Sequence, residues 1–158
     1  MEIRKSSRAI ILNKKKQIFL FQYQFDYLVD DEAIWITPGG SLEAEESFDD
    51  ALKRELYEEL GIQLKQSYKQ VYYRNPIYTF KTGEQIQSEE RFYLIYLNED
   101  TFLYDNWTEN EKKRMLMGKW WSVEEIKLSS DKFFSEDILS IITNLSDGIM
   151  PQEPKEIA

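Results

Sequence analysis

Three glutamates, Glu55, Glu58 and Glu59, fall within the short run RELYEELGI. At ~100° per residue, a helix would bring them onto one arc. Like charges at i and i+4, as at Glu55 and Glu59, cost such a helix about 0.2–0.5 kcal/mol. Arg54 can pair with Glu58, yet one guanidinium does not neutralise three carboxylates. An ordinary solvated face alternates its signs, so this run breaks a local rule in the way functional sites do. With no His and no Cys in the chain, carboxylates converging on one edge suit a hard cation such as Mg²⁺, Mn²⁺ or Ca²⁺. The same absences leave Asp, Glu, Lys or Tyr as the source of any general base.

The elements that must hold these residues can be read around them. Ser47, with Asp50 three residues on, is an N-cap start. Phe48, Leu52, Leu56 and Leu60 recur every four residues as a buried stripe, and Gly61 stands where a left-handed C-cap belongs, followed by Ile62. Just upstream, Pro38-Gly39-Gly40 lets backbone turn tightly and come close to a ligand. SRAIILNKKKQIFLFQYQ reads as a hairpin turning over Asn13 to Gln17, and AIWITPGG as a short strand. YKQVYYRNPIYTF and ERFYLIYL read as strands joined by a turn, KTGEQIQS. WTENEKKRM reads as a loop or short helix, KWWS as a strand, and Ser122 as the cap of a turn through VEEI. A second helix is expected over 133–145. Residues 1–148 are expected to form one α/β domain, with 149–158 a frayed tail.

Composition excludes several classes. The formal net charge of −9 argues against nonspecific nucleic-acid binding, which relies on Lys and Arg. No apolar run approaches the ~20 residues of a membrane span, and Ala9 to Leu12 is too short for a secretion signal, so a cytoplasmic protein is the default. The absence of Cys removes disulfides and thiol nucleophiles. An acidic chain can still take a phosphorylated ligand when divalent cations stand between the two sets of negative charge.

Gly40, Glu46, Arg54, Glu55, Leu56, Glu58, Glu59, Gly61 and Ile62 fill every position of the pattern G-x5-E-x7-R-E-U-x-E-E-x-G-U, with U aliphatic. This segment resembles the Nudix box, and WITPGG, ERFYLIYL and KWWSVEEI resemble Nudix counterparts outside it. The resemblance implies an α/β/α sandwich around a mixed sheet. It implies hydrolysis of a phosphoanhydride in a small-molecule substrate, a nucleoside diphosphate linked to another group or a nucleoside triphosphate, with Mg²⁺ or Mn²⁺. Carried over position by position, it makes Glu55, Glu58, Glu59 and the Gly39 carbonyl the metal ligands. Arg54 would orient the glutamates and Glu46 would support them.

Other roles stay open on sequence. The general base is Glu55 or a residue on a later segment, Glu90, Glu109 or Glu111, of which Glu111 is favoured. Trp35, Tyr73, Tyr78 and Trp107 are candidates for stacking a base, although an aromatic on a strand is more often core. Pro76 and Tyr78 lie near, but out of register with, positions that mark ADP-ribose and dinucleoside polyphosphate enzymes, so the substrate and the oligomeric state are not fixed. The competing function is a catalytically silent Nudix-fold module that senses nucleotides or binds a partner. A third, isopentenyl-diphosphate isomerase, uses a cysteine this chain lacks.

Overall fold

A computed structural model describes residues 1–97 and 115–158. The strands are β1 (Glu2–Leu12), β2 (Ile18–Tyr23), β3 (Ile34–Ile36), β4 (Gly39–Ser41), β5 (Gln70–Arg74), β6 (Ile77–Thr79), β7 (Gln85–Tyr96), β8 (Met115–Trp121), β9 (Lys132–Phe133) and β10 (Lys155–Glu156). The helices are α1 (Phe48–Leu60), α2 (Val123–Leu128) and α3 (Ile138–Ser146). The sheet runs β10-β5-β7-β1-β2-β3-β9, with β4 pairing β1, β6 pairing β7 and β8 pairing β2. It is mixed: β1 lies parallel to β7 from Glu2↔Ile86 to Leu12↔Tyr96, while β2, β3 and β8 join antiparallel.

The continuous apolar run in β1 follows from its central place. Alternate residues of a strand point to opposite faces. Ile10 and Leu12 enter one core together with Ile18, Leu20, Phe92 and Leu94, against Ile138, Ile141, Ile142 and Leu145. Ala9 and Ile11 enter the other with Phe19, Phe21, Tyr93 and Ile95, against Leu52, Leu56 and Leu60. A helix therefore covers each face, which makes an α/β/α sandwich. Each fully buried leucine of α1 is worth about 2 kcal/mol.

The local signals around α1 hold. The Ser47 side chain accepts the Asp50 N–H, and Gly61 adopts φ 69° with its N–H returning to the last turn. Ser122 and Glu125 form a reciprocal capping box on α2. The Ser7 hydroxyl donates to the Phe48 carbonyl at 2.6 Å, tying the start of α1 to the central strand.

Three boundaries differ from the sequence expectation. The run KTGEQIQS is only partly a turn: β7 begins at Gln85, because Ile86 and Ser88 alternate inward and β6 pairs with that stretch. The second long helix begins at Ile138, not near 133, because Lys132 and Phe133 pair in parallel with Ile34 and Trp35. The tail expected to fray is partly built into the sheet. Lys155 and Glu156 pair with Tyr72 and Tyr73, and Ile157 is buried in the core beside Tyr72. Among the described residues, no helix is long and apolar enough to cross a membrane.

Candidate active site

Strand β4 and helix α1 build the site between them. β4 pairs with the middle of β1, Ser6↔Ser41, Ser7↔Gly40 and Arg8↔Gly39. At Gly39 the backbone takes φ 139°, and a Cβ there would stand 2.1 Å from the Ser7 carbonyl oxygen. At Gly40 a Cβ would stand 2.5 Å from Glu55 Oε1. The two glycines thus do different things. Gly39 lets the backbone turn against β1, and Gly40 makes room for the Glu55 carboxylate.

Arg54 gathers the acidic residues. Its Nε and Nη2 donate to both oxygens of Glu46, at 2.8 and 2.9 Å, and its Nη1 meets Glu55 at 2.9 Å and Glu58 at 3.4 Å. Nη2 also donates to the Ser41 carbonyl at 2.9 Å, so the arginine clamps β4 to α1. Hydrogen bonds to Arg54 hold the Glu46 carboxyl below its ordinary range. Burial pushes the Glu55 carboxyl up, with Arg54 opposing and Glu58 reinforcing the shift. The third box glutamate is placed differently. Glu59 is only 2% exposed, and its carboxylate accepts the Gly39 N–H at 2.6 Å. The repulsion anticipated from sequence is therefore largely relieved within the protein, by Arg54 for Glu55 and Glu58 and by backbone for Glu59.

Gly39, Glu55, Glu58 and Glu59 line one open groove of about 370 Å³. Its donor set is entirely oxygen and carries excess negative charge, which fits a hard divalent cation. Among the described residues, no three carboxylates already enclose a common point, since Arg54 and the Gly39 N–H occupy them. Tyr23, Phe25 and Tyr27 also line the groove. Sequence reasoning missed these aromatics, although their period-2 spacing in YQFDY was a usable signal.

It also missed Arg8. This partly buried arginine donates from Nη1 to the carbonyls of Thr37 (3.2 Å) and Gly39 (3.1 Å). It borders the carboxylate groove and a second cavity of about 360 Å³, floored by Ile34, Ile36, Phe92, Phe133 and Phe134. A charged residue beside the apolar run Ala9–Leu12 was the available clue.

A chain that pairs a carboxylate-rich groove on α1 with a glycine turn on β4 invites comparison with known families. The profile of the NUDIX domain matches residues 3–140. The chain belongs to the NUDIX family. Among solved structures, a MutT NUDIX hydrolase from Burkholderia pseudomallei aligns at 18% identity and TM-score 0.64, covering 90% of this chain and 96% of that one. An ADP-ribose pyrophosphatase from Streptococcus suis aligns at 17% identity and TM-score 0.60, covering 97% and 98%. A MutT protein from Methanosarcina mazei Go1 aligns at 19% identity and TM-score 0.59, covering 93% and 94%. At these identities the likeness is one of fold. No curated protein matches the sequence.

The remaining sequence candidates separate in this NUDIX fold. Trp35 is a core residue and not a stacking surface: it is 3% exposed, its ring meets Trp121 edge-on at 5.0 Å, and its Nε1 donates to Asp131 at 3.0 Å. Tyr73 lines a separate surface recess with Asn75, Glu89 and Arg91, away from the glutamates. Tyr78 borders the second cavity, but its hydroxyl donates to Glu90 at 2.9 Å and accepts from Arg74 at 3.1 Å, so its ring is held in a polar cluster. Glu90 is paired with Arg74 at 2.6 Å. Burial alone would raise the Glu90 carboxyl, but Arg74, Arg8 and Tyr78 outweigh it and hold it below the ordinary range. Both Glu90 oxygens are thus engaged inside a buried cluster with Arg74, Tyr78 and Ser88. Glu109, Glu111 and Trp107 lie outside the described residues.

Proposed function

We propose that this NUDIX protein is a metal-dependent hydrolase. It cleaves a phosphoanhydride in a nucleoside diphosphate-linked or nucleoside triphosphate-type substrate by attack of water at phosphorus. The observation that carries the reading is that two cavities share Arg8, Phe25 and Ile36 in their linings: the carboxylate groove of Glu55, Glu58 and Glu59, and the apolar cavity floored by Phe92, Phe133 and Phe134. A phosphate chain suits the first, once divalent charge is present, and the group attached to it suits the second.

In this reading Glu55, Glu58, Glu59 and the Gly39 carbonyl hold Mg²⁺ or Mn²⁺. Such a bound cation neutralises phosphate charge and lowers the pKa of a coordinated water. The protein's own contribution is placement. Arg54, fixed by Glu46, orients the carboxylates of Glu55 and Glu58. Glu59 fixes the Pro38–Gly39 peptide through the Gly39 N–H, and Arg8 holds the Gly39 carbonyl itself. Glu55 and Glu111 are the two candidates for the base that takes the proton of the attacking water.

The test is a Mg²⁺-dependent hydrolysis screen over NTPs, NDPs, NDP-sugars, ADP-ribose and dinucleoside polyphosphates, with EDTA controls. Turnover in ¹⁸O-water is expected to put label on a phosphate product. Label in a sugar hydroxyl alone refutes attack at phosphorus. Release of product from none of the substrates favours the silent sensing module instead.

A further inference from the structure

Arg8 stands where the two cavities meet. It borders the carboxylate groove together with Gly39, Glu55 and Glu58, and it borders the apolar cavity together with Tyr78, Glu90 and Phe92. A ligand that fills both must pass it. Strand pairing fixes the arginine's base, because Arg8 sits opposite Gly39 in the β1–β4 ladder and opposite Phe92 in the β1–β7 ladder. Among the described residues, Nη1 alone is engaged with protein, on the Thr37 and Gly39 carbonyls. Among the described residues, Nε and Nη2 have no hydrogen-bond acceptor in the protein, and no carboxylate lies within ion-pair distance of Arg8, although its charge acts on Glu55 and Glu90 from farther away.

This arrangement is unusual for a structural arginine. A guanidinium presents five donors in a rigid fork. Here part of that fork is spent on orientation, and the remaining donors are left at the passage between the cavities. The Gly39 carbonyl keeps a second lone pair, since a backbone oxygen carries two. Arg54, by contrast, is saturated by Glu46, Glu55, Glu58 and the Ser41 carbonyl. Arg8 is therefore the cation shared by the two linings, and it has donors to spare for an anion.

Resting on the hydrolase reading above, we infer that Arg8 is the positioning residue for the phosphate that joins the diphosphate to the group in the apolar cavity. A guanidinium takes phosphate oxygens by charge-assisted, often bidentate, hydrogen bonds. Its place at the junction sets the distance between the phosphorus under attack and the attached group. The residue thus selects for ligands with a phosphate at that junction, over nucleosides or apolar molecules that fill the second cavity alone.

The experiment measures Mg²⁺-dependent binding of ADP by calorimetry and of adenosine by NMR titration to wild type, Arg8→Gln and Arg8→Lys. Melting temperatures are recorded alongside. ADP affinity is expected to fall by roughly tenfold or more in Arg8→Gln, with adenosine affinity unchanged. Arg8→Lys should recover part of the ADP affinity through charge, although it loses the fork that holds the Thr37 and Gly39 carbonyls. A purely structural arginine predicts a different pattern: ADP and adenosine weaken together, in step with the melting temperature, and lysine rescues neither. That pattern, or equal ADP affinity in wild type and Arg8→Gln, overturns the assignment. If Arg8→Gln does not fold, the Arg8→Lys comparison decides by the same criterion. Failure of wild type to bind ADP at all overturns the assignment of Arg8, whereas the hydrolase reading stands or falls separately on the hydrolysis screen.

Discussion

The Glu59 carboxylate accepts the Gly39 N–H at 2.6 Å, joining the last turn of α1 to strand β4. This contact makes Glu59 a buried connector as well as a candidate ligand. Glu59→Gln retains an oxygen to accept the N–H, but it removes charge assistance and adds a buried NH₂ group that needs a partner. Stability should fall by about 1–2 kcal/mol. Turnover should fall by orders of magnitude, because a displaced catalytic metal costs several kcal/mol. Chemical denaturation beside steady-state kinetics measures both. Unchanged activity at reduced stability would leave Glu59 with the structural role alone.

The two glycines of β4 should fail in different ways. Gly39→Ala forces a side chain into φ 139° and against the Ser7 carbonyl, which is backbone and does not yield. It should cost more than about 2 kcal/mol and disturb the β1–β4 pairing. Gly40→Ala meets the end of the Glu55 side chain, which can swing aside. The fold should survive, with a loss of about 1 kcal/mol or less and a large drop in turnover as Glu55 leaves its position. Comparable melting curves for the two variants would contradict this division.

Charge at Glu55 should leave a mark on the pH dependence of the metal-free protein. Burial raises its folded-state pKa above the ordinary glutamate value. Its contribution to stability is then fully present below the unfolded pKa and is lost as pH rises through the raised folded value. Glu46 and Glu90, both held low, act in the opposite sense and over a lower window: their contribution is lost as pH falls through the depressed values. Glu55→Gln should therefore flatten the decline on the alkaline side of the ordinary glutamate range and leave the acid limb in place. Denaturation midpoints taken across pH 3 to roughly 8 test it, and an unchanged alkaline side would show that Glu55 is solvated.

The features that sequence made legible are those encoded within a few residues. The Ser47 cap, the leucine stripe, the left-handed Gly61 and the Ser122 cap each depend on neighbours in the chain, and each is found where expected. What sequence could not supply depends on distant pairing. Phe133 reads as helix until β3 claims it, and Lys155 and Glu156 read as tail until β5 provides an edge for them. The site follows the same division. The box glutamates share one helix, so their convergence was visible. That Arg54 would reach Glu46, Glu55 and Glu58 together depends on a loop folding back onto the helix. Trp35 was ambiguous because a strand aromatic looks the same from sequence whether it faces ligand or core. The packing against Trp121 resolves it as core.

Mg²⁺-dependent turnover of Glu58→Gln, measured beside Glu125→Gln on whichever substrate wild type hydrolyses, tests the central claim most directly. Glu58 is the most exposed of the box glutamates whose carboxylates meet Arg54, so its loss burdens the fold least. Glu125 lies in the capping box of α2 and pairs with Lys119 at 3.0 Å, away from the groove, and glutamine preserves the box. The account predicts that Glu58→Gln loses roughly 100-fold or more of the Mg²⁺-dependent rate, while both variants melt close to wild type and Glu125→Gln keeps its activity. Retention of most of that rate by Glu58→Gln, in a folded protein, would contradict a metal-dependent site on the glutamate edge of α1.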